Sequence, residues 1–251
     1  MTNPSPAGSD PARQPDRSSS EVGGGVAVVE LFTSQGCNSC PPAEELLTEI
    51  DHDSRTRGEP VFTLGFHVDY WDDLGWPDQF ADAAYTARQE AYVRGFGSGR
   101  LYTPQMIVNG TVEFVGSDPG RAASAIASAL MSPAAAPLTL SVAEVADGGQ
   151  RMMVGYRAQR LPQHAVVNVA LVQRGLHSEI ARGEKAGRTL RQDNVVRAFA
   201  SVPLDAEQGQ VELATPPDLD PGQSTVIGYV QREGDRAVVG ATAVDLSAAA
   251  G

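Results

Sequence analysis

The hydrophobic pattern at the start of the chain changes period from that of a strand to that of a helix. Residues 26–32 are an apolar run rich in β-branched side chains, which predicts a buried strand. From Pro41 onward the apolar positions follow i, i+3, i+4 and i+7, the spacing of one helix face. The residues on this face are Ala43, Leu46, Leu47 and Ile50. The pattern therefore predicts a strand, a polar turn and a helix that begins at a proline.

The same alternation continues to residue 132. A second apolar run precedes an acidic, aromatic segment and a second helix, whose apolar face is Phe80, Ala84, Ala87 and Ala91. Two short strands flank Asn109-Gly110, a pair typical of tight hairpins because both residues tolerate positive φ. Asp118-Pro119 supplies the cap and first residue of a third helix. The strands are predicted at 26–32, 61–68, 105–108 and 111–115, so the order over residues 26–132 is βαβαββα.

After residue 132 the pattern is that of strands alone. Residues 133–137, Pro-Ala-Ala-Ala-Pro, form a predicted linker. Eight short strands follow, with turn signals such as Asp147-Gly148-Gly149 between them, and they predict an antiparallel, sandwich-like β domain over 138–247. These strands are 138–145, 151–158, 165–173, 176–182, 194–202, 209–214, 223–232 and 236–245. The predicted fold is an α/β domain followed by an all-β domain.

The N-terminal segment and the net charge limit the function classes. Residues 1–25 are rich in Pro, Ser and Gly, which predicts a disordered tail. This tail lacks a basic region followed by an apolar one, so a cytoplasmic location is expected. A net charge of -12 repels a phosphate backbone, which argues against nucleic-acid partners. No apolar run reaches the roughly 18 residues that a membrane span requires.

Both cysteines of the chain lie in Ser-Gln-Gly-Cys37-Asn-Ser-Cys40-Pro-Pro, between the first strand and the first helix. Two cysteines are too few for a disulfide-based scaffold, so a local pair indicates redox or metal chemistry. A structural staple is the competing interpretation, but a disulfide that closes so small a loop gains little from chain entropy.

The position at a helix start affects the reactivity predicted for these sulfurs. A cysteine there is stabilised as thiolate, and C-x-x-C sites span a pKa range of about 3.5–7.5. Cys40 precedes Pro41, however, and a residue before proline is disfavoured in the α region. Pro41 and Pro42 also lack the N–H groups that would help to hold a thiolate. We therefore expect a weaker helix-end effect on Cys37 than in ordinary thioredoxins.

Two sets of residues carry a resemblance to known proteins. The order of elements around the C-x-x-C, together with Tyr102-Thr103-Pro104-Gln105, resembles the thioredoxin fold, in which a cis Thr-Pro or similar pair faces the cysteines. The segments ELFTSQGCNSCPP, FHVDYWDDLGWPD and GEKAGRTLRQDNVVR resemble a bacterial and plant family of thioredoxin-like proteins catalogued as a domain of unknown function. This second resemblance spans residues 26 to about 245.

The resemblance implies thiol–disulfide exchange with protein or small-molecule thiols and disulfides, and no bound cofactor. It assigns Cys37 as the exposed, attacking sulfur and Cys40 as the resolving one, with Pro104 as the third residue of the redox site. Thr103 and Tyr102 would contact the substrate beside Pro104. Because members of the family commonly carry an export signal, the resemblance also allows a periplasmic or secreted location.

Other residues leave alternatives open. Tyr70 and Trp71 follow the carboxyl end of a strand, where ligands bind in α/β sheets, so they either contact substrate or pack under a capped loop. Cys37, Cys40 and His67 form an alternative copper-binding set of a metallochaperone, since two sulfurs and a nitrogen suit Cu(I), whereas His67 is otherwise a satisfied strand-end histidine. Residues 183–191 are either an exposed hairpin or a loop that folds over the cysteines. A non-enzymatic protein-binding module is the third functional alternative.

Overall fold

A computed structural model describes residues 17–18, 24–144, 150–183 and 185–246. These residues form a mixed α/β fold. The helices are α1 (Pro41–Arg57), α2 (Ala83–Phe96) and α3 (Pro119–Leu130). The strands are β1 (Arg17–Ser18), β2 (Ala27–Thr33), β3 (Val61–His67), β4 (Gln105–Val108), β5 (Val112–Val115), β6 (Leu138–Glu144), β7 (Arg151–Ala158), β8 (Ala165–Gln173), β9 (Leu176–Glu179), β10 (Thr189–Gln192), β11 (Val195–Pro203), β12 (Gln208–Ala214), β13 (Ser224–Arg232) and β14 (Val238–Asp245).

The order from β2 to α3 is the predicted βαβαββα. Helix α1 begins at Pro41 and ends at Gly58, whose φ of 64° suits a glycine. Helix α2 begins later than its apolar pattern indicates, because the Asp82 carboxylate caps it by accepting the Ala84 N–H at 2.8 Å. The prediction that Phe80 lies on this helix is therefore wrong.

One large sheet contains strands from both halves of the chain. Its order is β14-β13-β8-β11-β3-β2-β4-β5, with β2 parallel to β3 and β3 parallel to β11. A four-stranded sheet, β1-β6-β7-β12, shares an apolar core with β8 and β13. The division into two domains at residues 133–137 stays a prediction, but strands on both sides of that segment belong to the large sheet.

The two halves meet closely at Gly65 in β3. The Gly65 N–H donates to the carbonyl of Asn194 at 2.6 Å, and a Cβ on Gly65 would lie 3.1 Å from that oxygen. A side chain would push the two backbones apart, so the junction requires a glycine.

A cluster around a buried ion pair also joins the halves. The Arg88 guanidinium of α2 donates to both carboxylate oxygens of Glu30 in β2, at 2.7 and 3.0 Å. The hydroxyls of Tyr92 and Tyr229 donate to the same carboxylate, and Tyr229 lies on β13 in the second half of the chain. The buried carboxylate therefore has its counter-ion and two hydroxyl donors in one group of side chains, which we call the Glu30–Arg88 cluster.

Two predictions for connecting segments need correction or fall outside the described residues. Strand β10 occupies part of the predicted loop 183–191 and pairs antiparallel with β9. The predicted disordered tail lies outside the described residues, except for Arg17–Ser18, which pairs with β6, and residues 24–25. The Asp147-Gly148-Gly149 turn also lies outside them. Within the described ranges, no helix has the length and apolar content needed to cross a membrane.

Candidate functional site

The two cysteines form a disulfide at the start of α1, with their Cα atoms 5.5 Å apart. Cys40 is the N-cap residue, and its carbonyl accepts the N–H groups of Ala43 and Glu44 at 2.9 and 3.1 Å. Its φ of -78° and ψ of -34° lie in the α region, which the following proline disfavours. The two helix-initiating bonds offset this steric cost. The helix begins at Pro41, and the weaker helix-end effect on Cys37 stays a prediction.

Both cysteines are 0% exposed. The expectation that Cys37 is the more exposed sulfur is therefore wrong for the disulfide form, whereas its role as the attacking sulfur stays a prediction. Asn38 and Ser39, which lie between them, are exposed, so the disulfide is only one residue below the surface. One element from the second half of the chain contacts the C-x-x-C turn.

The covering element is the hairpin of β9, β10 and their connection, residues 176–192, which we call the cover hairpin. From its turn, the Lys185 ammonium donates to the carbonyl oxygen of Cys37 at 2.7 Å, and Lys185 is 5% exposed. Gly183 packs on the loop before α2, since a Cβ on Gly183 would lie 3.3 Å from that of Trp76. Of the two alternatives for residues 183–191, the structure shows the segment folded over the cysteines.

Neutral polar side chains hold the cover hairpin to the turn before Cys37. The Gln35 amide donates to Ser178 Oγ at 2.9 Å and to Gln192 Oε1 at 2.8 Å. Ser178 donates to Gln192 Oε1 at 3.1 Å and accepts the amide of Gln79 at 2.7 Å, while Trp76 Nε1 donates to Gln35 Oε1. We call this group the Gln35 cluster. Gln192 Nε2 is buried without a hydrogen-bond partner among the described residues.

The Thr103–Pro104 peptide bond is cis, as the resemblance implies, and it lies beside the cysteine turn. Ser39 Oγ donates to the Thr103 carbonyl at 3.5 Å. A Cβ on Gly116 would lie 3.2 Å from Pro104 Cβ and 3.1 Å from Ala43 Cβ. The missing side chain at Gly116 thus lets Pro104 approach the first turn of α1.

The other residues predicted to contact substrate are held by hydrogen bonds around this point. Trp71 Nε1 donates to Thr103 Oγ1 at 2.9 Å, and a Cβ on Gly36 would lie 3.2 Å from that of Trp71. Gln89 joins the two tyrosines, because it accepts the Tyr70 hydroxyl at 3.2 Å and donates to the Tyr102 carbonyl at 2.8 Å. Burial raises the pKa of Tyr70 to about 12.

His67 is the last residue of β3, and its imidazole contacts the carboxylate of Asp78. Its Nδ1 lies 2.7 Å from Asp78 Oδ2, and both side chains are buried. Burial favours the neutral imidazole, but the Asp78 charge outweighs it, so the pKa of His67 is raised. For Asp78, burial favours the neutral acid, but His67 and the Gln35 N–H outweigh it, so the pKa of Asp78 is lowered.

This pairing bears on the copper alternative. The described residues contain no cluster of three or more His, Cys, Asp or Glu side chains arranged to hold a metal ion. Cys37 and Cys40 are bonded to each other, and the Nδ1 atom of His67 faces Asp78. The structure therefore does not assemble Cys37, Cys40 and His67 as one ligand set.

Comparison with known proteins places the chain in a family. Residues 28–231 match the model of a family described as proteins of unknown function (DUF1223). The chain belongs to the DUF1223 family. No curated protein matches its sequence.

Two solved structures resemble the DUF1223 chain over most of its length. The crystal structure of protein AGR_C_4864 from Agrobacterium tumefaciens is 29% identical, with a TM-score of 0.65, over 90% of this chain and 97% of that one. HBP35 of Porphyromonas gingivalis has a TM-score of 0.63 at 12% identity, over 92% of this chain and 78% of that one. The second likeness concerns the fold alone.

The residues that sequence reasoning missed lie in turns and short strands. Gln35 and Lys185 lie in turns, and Ser178 and Gln192 lie in the four-residue strands β9 and β10. None carries a periodic signal, because each acts through contacts with residues far away in the sequence. The one available signal was composition. Lys185 is the only lysine in a sequence whose other basic side chains, among 19 Lys and Arg, are all arginines.

Proposed function

We propose that this protein exchanges thiols and disulfides through Cys37 and Cys40, at the surface of a thioredoxin-like unit. The observation that carries the proposal is the position of the disulfide at the start of α1, next to the cis Thr103–Pro104 bond. Ser39, which lies between the two cysteines, donates a hydrogen bond to the Thr103 carbonyl. The β2–α1–β3–α2–β4–β5–α3 order, with β2 between β3 and β4, supports the thioredoxin-like assignment of residues 26–132.

In the reducing direction the Cys37 thiolate attacks a substrate disulfide. A bond forms between Cys37 and one substrate sulfur, and the other substrate sulfur leaves as a thiolate that takes up a proton. Cys40, after losing its proton, attacks Cys37 and closes the protein disulfide, which releases the second substrate thiol. Two electrons pass from the protein to the substrate, and every step is reversible. Oxidation of a substrate dithiol is the same sequence in reverse.

Access to the sulfurs requires a local opening, because both cysteines are 0% exposed. The cover hairpin is the element that we propose to move, since its Lys185 lies on the Cys37 carbonyl. The Gln35 cluster that holds it consists of neutral amides and a hydroxyl, whose individual hydrogen bonds contribute about 0.5–1.5 kcal/mol. Opening a hairpin held by such bonds costs far less than unfolding the sheet beneath it. Trp71, Thr103 and Pro104 would then line the surface that receives the substrate.

The test is turnover of a model peptide disulfide with dithiothreitol as electron donor. We expect the wild-type protein to accelerate reduction above the rate of dithiothreitol alone, and Cys37→Ser to abolish the acceleration. Cys40→Ser should accumulate substrate as a mixed disulfide on Cys37. A wild-type rate equal to that of the free dithiol would reject the proposal.

The complete burial of the disulfide favours a second candidate, a redox sensor or non-enzymatic binding module in which the sulfurs report redox state to a partner protein. For this candidate, oxidation would change only the position of the cover hairpin. A Cys37→Ser, Cys40→Ser double variant that captures the same partner as the wild type would favour it, and the turnover assay separates it from the enzyme.

A further inference from the structure

Lys185 occupies an unusual position for a lysine. Its side chain is 5% exposed, and its ammonium lies 2.7 Å from the Cys37 carbonyl, 148 residues away in the sequence. Lysine is rarely buried, and the ammonium of Lys185 places a positive charge on the backbone of a cysteine of the proposed redox site.

The choice of residue suits this position. Lys185 is the only lysine of the sequence, and every other position with a cationic side chain uses arginine. An ammonium is a compact point charge, whereas a guanidinium is a broad planar fork. The compact ammonium of Lys185 places its charge on a single backbone oxygen, the carbonyl of Cys37.

The contact uses no atom of the disulfide. Lys185 binds the Cys37 carbonyl, which reduction of the disulfide does not alter chemically. Its charge lies on the backbone of the residue whose sulfur can ionise after reduction. A cation close to a thiolate stabilises it and lowers the pKa of the thiol.

Other charged groups near the site act in both directions. Glu44 on α1 and the His67–Asp78 pair at the end of β3 lie close enough to influence one another, and the charge of Lys185 itself disfavours protonation of His67. Asp78 and His67 compensate each other, and Glu44 accepts the Thr33 hydroxyl at 2.6 Å. Lys185 is the cation that contacts the backbone of Cys37 itself.

We propose that Lys185 is a positioning residue of the redox site: it lowers the pKa of the Cys37 thiol and raises the reduction potential of the disulfide. This inference rests on the proposed thiol–disulfide exchange. The prolines at the start of α1 cannot supply N–H groups to a thiolate, and a lysine from the other half of the chain supplies the charge instead. The second half of the protein then contributes to the redox site itself and not only to its cover.

The first test is the pH profile of Cys37 alkylation by iodoacetamide in the reduced protein, with Cys40→Ser to isolate one thiol. Lys185→Met removes the charge and keeps the length of the side chain. We expect the pKa of Cys37 to rise by about one unit, which lowers its thiolate fraction about tenfold below the pKa. A thiolate of higher pKa is more nucleophilic, with a Brønsted coefficient of about 0.4–0.5, so the rate at neutral pH should fall about threefold.

The second test is the equilibrium of the two-cysteine protein with reduced and oxidised glutathione. Two glutathione thiols reduce the protein disulfide and form one glutathione disulfide. Loss of the Lys185 charge should destabilise the reduced form about tenfold, a shift of about 30 mV to more negative potential. Lys185→Arg should restore most of the shift, because the charge returns, and Arg188→Met should change nothing, because this cation of the same hairpin is exposed.

Circular dichroism identifies any variant that fails to fold. If Lys185→Met fails to fold, the test is whether Lys185→Arg keeps most of the wild-type pKa and reduction potential. An unchanged pKa and potential in folded Lys185→Met would overturn the inference, as would equal shifts in Arg188→Met or no recovery in Lys185→Arg. These readouts are independent of turnover. A wild-type protein without turnover rejects the proposed function, whereas unchanged profiles in an active protein reject only the role of Lys185.

Discussion

Two buried polar clusters connect the halves of this chain, and they do so by different physical means. In the Glu30–Arg88 cluster an ion pair at 2.7 Å joins α2 to β2, and the Tyr229 hydroxyl of β13 binds both partners. The Arg88 guanidinium also lies over the rings of Phe66 and Phe199. The Gln35 cluster joins the C-x-x-C turn to the cover hairpin through neutral amides and one hydroxyl. The first lies on a helix and on strands of the large sheet, and the second lies on loops and on the short strands β9 and β10.

This difference predicts different behaviour. A buried ion pair is hard to separate, because either ion left alone in the interior costs several kcal/mol. Neutral amide contacts can be exchanged for water as the hairpin lifts, and Gln192 Nε2 already lacks a partner among the described residues. The Glu30–Arg88 cluster therefore fixes the sheet, while the Gln35 cluster permits the hairpin to open over the disulfide.

The largest effect is expected from Arg88→Met. This change leaves the Glu30 carboxylate, 1% exposed, without its cation and should lower the free energy of unfolding by about 3–5 kcal/mol. Denaturation in urea at neutral pH measures it. Arg57→Met, which removes a cation from exposed pairs with Asp53 and Glu59, is the control and should cost less than about 1 kcal/mol. Equal effects of the two changes would show that the buried pair is not the stronger connection.

Ser178→Ala tests the opposite half of the comparison. Ser178 Oγ binds Gln35, Gln79 and Gln192, so its loss should make opening of the hairpin easier by about 1–2 kcal/mol. Reduction of the disulfide by dithiothreitol, monitored by thiol release, should accelerate about tenfold. Thr189→Ala, an exposed change in the same hairpin, should leave the rate unchanged. No acceleration in Ser178→Ala would mean that the Gln35 cluster does not control access.

The His67–Asp78 pair predicts a pH dependence of stability. Because the pKa of His67 is raised in the folded state, its contribution is complete below the unfolded value of about 6.5 and is lost as pH rises through the folded pKa. The pKa of Asp78 is lowered, so its contribution is lost only when pH falls through that lower value. His67→Gln should therefore cost more unfolding free energy at about pH 5.5 than at about pH 9. Urea titrations at the two pH values measure this, and an equal cost would contradict the charged pair.

Trp71→Phe should have the smallest effect. It removes the hydrogen bond from Trp71 Nε1 to Thr103 Oγ1 and keeps an aromatic ring, so stability should fall by about 0.5–1.5 kcal/mol. If Thr103 and Pro104 receive the substrate, the KM for a peptide disulfide should rise while kcat changes little. Leu74→Ala, an exposed residue in the same loop, is the matched control. A change in kcat alone would place Trp71 in the exchange step instead.

The sequence predicts the element order of the first half because each element carries its own local signal. The helices that begin at Pro41 and Asp118-Pro119 and the Asn109-Gly110 hairpin all depend on residues within a few positions of one another. Strand β10 was missed because Thr-Leu-Arg-Gln has a single apolar residue and no alternation. Its conformation depends on pairing with β9 and not on its own sequence.

The site divides in the same way. The sequence by itself determined the C-x-x-C at a helix start and the Thr103–Pro104 pair, because spacing and residue type define both motifs. Only the tertiary structure decided that both sulfurs are buried, that His67 faces Asp78, and that Lys185 lies on Cys37. The Lys185 contact joins residues 148 positions apart, and no local pattern encodes it, because these residues meet only where the fold brings the two halves of the chain together.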